Sequence, residues 1–123
     1  VDIARLFQGR ESLGELFYAL KQDGGQFADE VLQTLSRMSP TSMAVTIEQM
    51  KRGHQLDFDD VMKMEFRIAR HVLEGHDFIE GVRAQILDKD RNPIWSPSSV
   101  TEIDRADIEK YFEQLGDAEL VLP

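Results

Sequence analysis

The sequence contains no cysteine, which removes disulfides, thiolate nucleophiles and thiolate metal ligands together. It has no uninterrupted apolar run near the roughly 20 residues that span a bilayer, and its first residues lack the charged-then-apolar layout of a signal peptide. A soluble intracellular protein with no membrane partner is the expectation. Basic charge is scarce: 14 Lys and Arg stand against 23 Asp and Glu, for a net charge of −9, and the basic residues do not cluster. Such a surface repels a phosphate backbone, so nucleic acid is not an expected partner. Gly24-Gly25 lacks the spacing and the following Lys-Ser/Thr of a phosphate loop. Ser39, Ser42, Ser96, Ser98 and Ser99 lie in no Gly-x-Ser-x-Gly elbow, so capping and turn formation account for them.

What is present is a length of 123 residues with a hydrophobic fraction of 41% and a charged fraction of 30%, suited to one soluble domain with a modest core. Ser12 and Glu15 have capping-box spacing, and Leu13, Leu16, Phe17 and Leu20 recur at helical intervals until Gly24-Gly25. A second stripe runs through Phe27, Val31, Leu32, Leu35 and Met38. Ser39-Pro40 then offers an N-cap and a proline for the first turn of a third helix, reaching about Arg52 and stopped by Gly53. Asp57 caps the longest periodic stretch, from Phe58 through Val72 to Gly75. Asp77 and Glu80 repeat the capping-box spacing, which predicts a short helix from Phe78 to about Leu87, turned sharply from the long one. Pro93 and Pro97 make Asp88 to Ser99 a loop anchored by Trp95, and a last helix is expected from Asp104 to Leu115. No alternating strand pattern appears. The expectation is an all-α chain of about six helices: one helical domain over residues 1–123, with a body to 116 and a tail over 117–123. Because the chain starts at Val1 without methionine and enters a helix-like pattern at once, a processed or excised piece is expected.

Reactive groups are thinly spread. His71 and His76 are five residues apart across Gly75, so they do not share a helix face as a metal pair would, and His54 stands apart. No metal site is expected. Glu65, Glu74 and Glu80 are near basic residues in sequence, but acid–base chemistry needs environments that drive two pKa values apart. A solvated acidic face accounts for them.

Two segments are more particular: Met38-Ser39-Pro40-Thr41-Ser42, and Gly75-His76-Asp77-Phe78-Ile79-Glu80-Gly81-Val82-Arg83-Ala84 with the following Asp88-Lys89-Asp90, Pro93 and Trp95. In this order, and with Met64-Glu65-Phe66-Arg67 between them, they closely resemble the C-terminal part of the 3-hydroxyisobutyryl-CoA hydrolase family within the crotonase (enoyl-CoA hydratase/isomerase) superfamily. The resemblance covers essentially the whole chain. Its Glu-Gly, Lys and Pro elements are common to the superfamily, so they support the superfamily more strongly than the hydrolase.

The resemblance implies a helical C-terminal domain without the spiral α/β core, belonging to a parent that hydrolyses a short branched 3-hydroxyacyl-CoA in valine breakdown. The family's oxyanion hole and catalytic acids lie in the preceding core, so no catalytic residue is assigned here and the chain alone is expected to be inactive. No cofactor is implied; the CoA thioester is the parent's substrate. The implied partner is the N-terminal crotonase core, with self-association as a further option, in the cytoplasm of a bacterium or the mitochondrial matrix of a eukaryote. Lys89 and Phe78 occupy the region from which the superfamily offers a cation and an aromatic to CoA, and a lysine suits a phosphate. Read from the residues alone, Lys89 is a solvated loop lysine and Phe78 a core aromatic. A hydratase or isomerase parent, and a stand-alone helical interaction module with exposed apolar faces, are the alternatives.

Overall fold

The computed structural model describes residues 2–123, which form seven α-helices and no strand. They are α1 (Asp2–Phe7), α2 (Leu13–Asp23), α3 (Gln26–Leu35), α4 (Pro40–Gly53), α5 (Phe58–Glu74), α6 (His76–Val82) and α7 (Arg105–Lys110). The all-α expectation holds, with α1 as an addition to the six helices read from periodicity.

The helix starts follow the capping chemistry where a small polar side chain stands free of other duties. Ser12 Oγ accepts from the Glu15 amide, Asp57 from Asp60 and Asp104 from Ala106. Each satisfies an amide that has no partner within its helix. Glu15 returns its carboxylate to the Glu11 amide, one residue before the cap. Gly24 closes α2 in the left-handed conformation at φ 61°, where an L side chain would be strained.

Two expectations are corrected. The short helix begins at His76 with Gly75 as its N-cap and no side-chain cap, because Asp77 is committed elsewhere; past Val82 the chain widens into a π-helical turn, Arg83–Leu87. The final helix ends at Lys110 instead of continuing to Leu115. Tyr111, Phe112 and Glu113 donate to carbonyls three residues back, tightening the chain where Phe112 turns into the core.

Two apolar clusters share α4 as their spine. Leu6, Leu16, Leu20 and Ala28 form the first, with Ile47 of α4 against them. Val45 of α4 joins Met64, Ile68, Ile108 and Phe112 in the second. The tail is tied to the second: Arg67 Nε donates to Glu119, whose other oxygen accepts from the Leu115 amide at 2.9 Å. Arg52 lies over the Phe112 ring at 4.1 Å, its Nη2 donating to both Glu109 oxygens and its Nε to Glu48, joining charge and aromatic surface. No helix among the described residues is long and apolar enough to cross a membrane.

Candidate functional site

The segments singled out in the sequence meet in space as one block at the junction of α4, α6 and the loop after α6. Ser39 begins it. Its Oγ caps α4 by accepting from the Ser42 amide at 3.1 Å, and it donates to Asp77 Oδ2 at 2.5 Å. Ser39 is only 6% exposed, so its hydroxyl needs both partners. Pro40 in the first turn has no amide to leave unpaired.

Asp77 gathers three elements. Besides Ser39 of the α4 cap, its Oδ1 accepts from the Ser96 amide at 2.9 Å and meets His76 Nδ1 at 2.9 Å. This long-range duty replaces the capping role read from its spacing. The loop is pinned again by Trp95, whose Nε1 donates to the Arg37 carbonyl at 3.0 Å while its ring covers Gly81. A Cβ on Gly81 would lie 3.4 Å from the indole, in ordinary van der Waals contact, so the ring packs directly on α6 at this position.

Arg83 forms the second hub. Its Nε and Nη2 fork onto Glu80 at 2.9 and 2.7 Å, its Nη1 reaches Asp88 at 2.8 Å and Asp90 at 2.7 Å, and Nη2 also donates to the Asn92 carbonyl. Glu80 in turn accepts from the Ile94 amide at 2.8 Å. The Arg83 bonds and then the Ile94 amide hold the Glu80 carboxyl down to about 2, and Arg83 is held correspondingly above its ordinary value. Asp90 is lowered first by Arg83, then by the Asn92 amide. Lys89 and Arg91 between these anchors adopt left-handed φ of 56° and 54°, a conformation that costs L residues energy and that the surrounding bonds impose.

These contacts decide what the block can do. A general base needs a lone pair that faces substrate and a pKa near working pH. Both Asp77 oxygens are occupied inside the protein, and Glu80 is ionised with a pKa far too low to take a proton at neutral pH. The block is therefore a device for fixing a loop. The histidines stand apart: His54 ends α4, His71 Nε2 meets the Glu113 carbonyl and packs edge-on to Tyr111, and His76 serves Asp77.

The two CoA candidates fall in different surroundings. Phe78 is 44% exposed and lines a cavity of about 230 Å³ with Val45, Thr46, Gln49, Val72 and Tyr111. It is not the core aromatic suggested by its place at the helix start. Lys89 is on the exposed loop outside that lining, with no carboxylate in ion-pair range among the described residues. The cavity does not bring the two together. Sequence reasoning placed Arg83 in a motif but gave it no role of its own, although one arginine among Glu80, Asp88 and Asp90 is a legible charge pattern.

Comparison with known proteins agrees with this architecture. The sequence model of the enoyl-CoA hydratase/isomerase family matches residues 1–112. The chain is 42% identical over 120 residues to the mitochondrial 3-hydroxyisobutyryl-CoA hydrolase of Xenopus laevis, covering 98% of this chain and 31% of that protein. It is 40% identical over 106 residues to the Homo sapiens protein of the same description, covering 86% and 28%. Among solved structures, a carnitinyl-CoA dehydratase from Mycobacterium thermoresistibile superposes with a TM-score of 0.87 at 31% identity, over 97% of this chain and 34% of that one. An enoyl-CoA hydratase from Rhodobacter sphaeroides 2.4.1 gives a TM-score of 0.87, also at 31% identity, over 98% and 36%. The chain thus spans about three tenths of the length of the curated relatives it matches. By sequence and by fold, it belongs to the enoyl-CoA hydratase/isomerase family.

Proposed function

We propose that this chain is the C-terminal helical part of an acyl-CoA thioester hydrolase acting on 3-hydroxyisobutyryl-CoA, and that it supplies packing, lid and assembly surface to a crotonase core. The observation that carries the reading is the double-hubbed loop lock: the same residues that resemble the hydrolase family build a rigid loop and no proton-transfer site. Identity of 42% to a 3-hydroxyisobutyryl-CoA hydrolase over 98% of the chain supports the choice of reaction. In this reading the oxyanion donors and catalytic acids are in the core, and these helices hold the acyl-CoA in place. Lys89 offers an unpaired ammonium to a CoA phosphate, and Phe78 an exposed ring.

The test compares the 123-residue chain with the longer protein that carries it. The chain alone is expected to leave 3-hydroxyisobutyryl-CoA intact and the longer protein to release free CoA; hydrolysis by the chain alone overturns the assignment of catalysis to the core. In the longer protein, Lys89→Ala is expected to raise KM about tenfold with kcat unchanged, the loss of roughly one phosphate contact. An unchanged KM removes Lys89 from the site.

The dehydratase and hydratase among the structural neighbours favour a second reading, in which the parent adds or removes water across an enoyl-CoA double bond. A panel of 3-hydroxyacyl-CoA and enoyl-CoA substrates separates the two by product: free CoA for the hydrolase, hydrated acyl-CoA for the hydratase.

A further inference from the structure

Lys89 stands between two acids in sequence, Asp88 and Asp90. A carboxylate one residue from a cation weakens the attraction that cation exerts on a phosphate, so these acids do not help a phosphate site by their charge. Their bonds point to another duty. Arg83 Nη1 holds Asp88 at 2.8 Å and Asp90 at 2.7 Å. The backbone is fixed at the same places: the Asp88 amide donates to the Arg83 carbonyl at 2.8 Å, the Arg91 amide to the Ala84 carbonyl at 3.0 Å, and the Asn92 amide to Asp90 Oδ1 at 2.9 Å.

Lys89 is thus clamped from both sides in a conformation that lysine adopts rarely. Its φ of 56° is left-handed, and a residue with a long side chain persists there only where its surroundings over-determine it. Glycine or asparagine would relieve the strain, yet the position carries an exposed ammonium. Released from the clamp, a lysine returns for most of the time to the ordinary regions of φ and ψ. The apparent affinity of a site falls with the fraction of molecules that hold the binding geometry.

We infer that Asp90, acting with Arg83, is a positioning residue for Lys89: its carboxylate holds the left-handed turn that sets the ammonium against a phosphate of the acyl-CoA. The inference rests on the proposed contact between Lys89 and CoA. The clamp itself is built within residues 83–92 and does not depend on which surfaces the longer protein covers. It also predicts an effect opposite in sign to that of charge alone. Removing a negative charge beside the cation should tighten the binding of a polyanion, whereas removing a clamp should loosen it.

The test is the dissociation constant of CoA for the longer protein that carries this chain, measured by isothermal titration calorimetry, which reads binding whichever reaction the parent performs. Asp90→Asn keeps an oxygen for the Asn92 amide and loses the charged partner of Arg83; it is expected to weaken CoA binding about fivefold. Asp88→Asn removes the other carboxylate from Nη1 and is expected to act in the same direction. Lys89→Ala should weaken binding about tenfold, and Lys89→Ala with Asp90→Asn should weaken it no further, because the clamp then has nothing to position. Urea midpoints check that each variant stays folded. If Lys89→Ala loses affinity while Asp90→Asn leaves it unchanged or improved, the positioning role is overturned and the Lys89 contact stands. A loss of about fiftyfold in the double variant, the product of independent effects, overturns it as well, since the loosening then acts elsewhere than at Lys89. No loss in Lys89→Ala refutes the contact itself, and the positioning role with it.

Discussion

Replacing Ser39 by alanine breaks two bonds at once, and the structure sets the size of the loss. The hydroxyl caps α4 through the Ser42 amide and donates to Asp77. A lost serine cap costs about 1 kcal/mol, and a lost hydrogen bond to a charged partner about 2 kcal/mol. The sum of about 3 kcal/mol is a large fraction of the roughly 5–15 kcal/mol that holds such a domain folded. At this size it corresponds to a fall in Tm of about 10 °C. Ser39→Gly separates the two contributions, since glycine at a cap costs only a few tenths of a kcal/mol; it should retain about 2 kcal/mol of the destabilisation. The assay is urea unfolding followed by fluorescence of Trp95, the single tryptophan, which is bonded across the same junction. In a double-mutant cycle, Ser39→Ala and Asp77→Ala should show a coupling of about 1.5 kcal/mol. Additivity within about 0.3 kcal/mol would refute the claim that the motif serine acts through Asp77.

Further expectations concern the second hub and the first cluster. Arg83→Lys keeps the charge but loses the planar fork, so amide exchange at Ile94 and Asn92 should accelerate at least tenfold; unchanged protection would show that the loop is held by other contacts. Glu80 has a carboxyl held at about 2, below its ordinary 4.5, so its stabilisation is complete above pH 4.5 and is lost as pH falls through 2. The difference in urea midpoint between wild type and Glu80→Gln should therefore shrink from pH 6 to pH 2, and a constant or widening gap contradicts the ion-pair assignment. Leu20 is fully buried in the first cluster, and Leu20→Ala should cost about 3 kcal/mol in urea unfolding; a cost below about 1 kcal/mol would place this cluster outside the cooperative core.

The fold was legible where one residue served one local purpose. Ser12, Asp57 and Asp104 cap the helices that their spacing announces, and Gly24 ends α2 as a left-handed stop. The reading failed at Asp77, whose capping-box spacing with Glu80 is genuine yet unused. A partly buried carboxylate gains more from the Ser39 hydroxyl and the Ser96 amide than from amides near the helix end that water can satisfy. Local patterns cannot reveal a partner 38 residues away. The last helix failed for a related reason: periodicity through Leu115 was sound, but Phe112 reaches the core by a tightened turn that periodicity does not encode.

The same contrast bears on what the family resemblance means. The residues that carry it are largely those of the two hubs: Ser39 and Asp77 in one, Glu80, Arg83, Asp88 and Asp90 in the other, with Gly81 and Trp95 between. Each is explained by holding the loop from Asp88 to Ser99 against α4 and α6, and none by moving a proton. A hydrolase and a hydratase that both need this loop in place would select the same residues for the same mechanical reason. The motifs therefore report the geometry of this loop, and on the proposed reading the choice between the two reactions rests with groups that touch the thioester itself. That is why exchanging substrates on the longer protein, and not mutating this block, is the experiment that assigns the reaction.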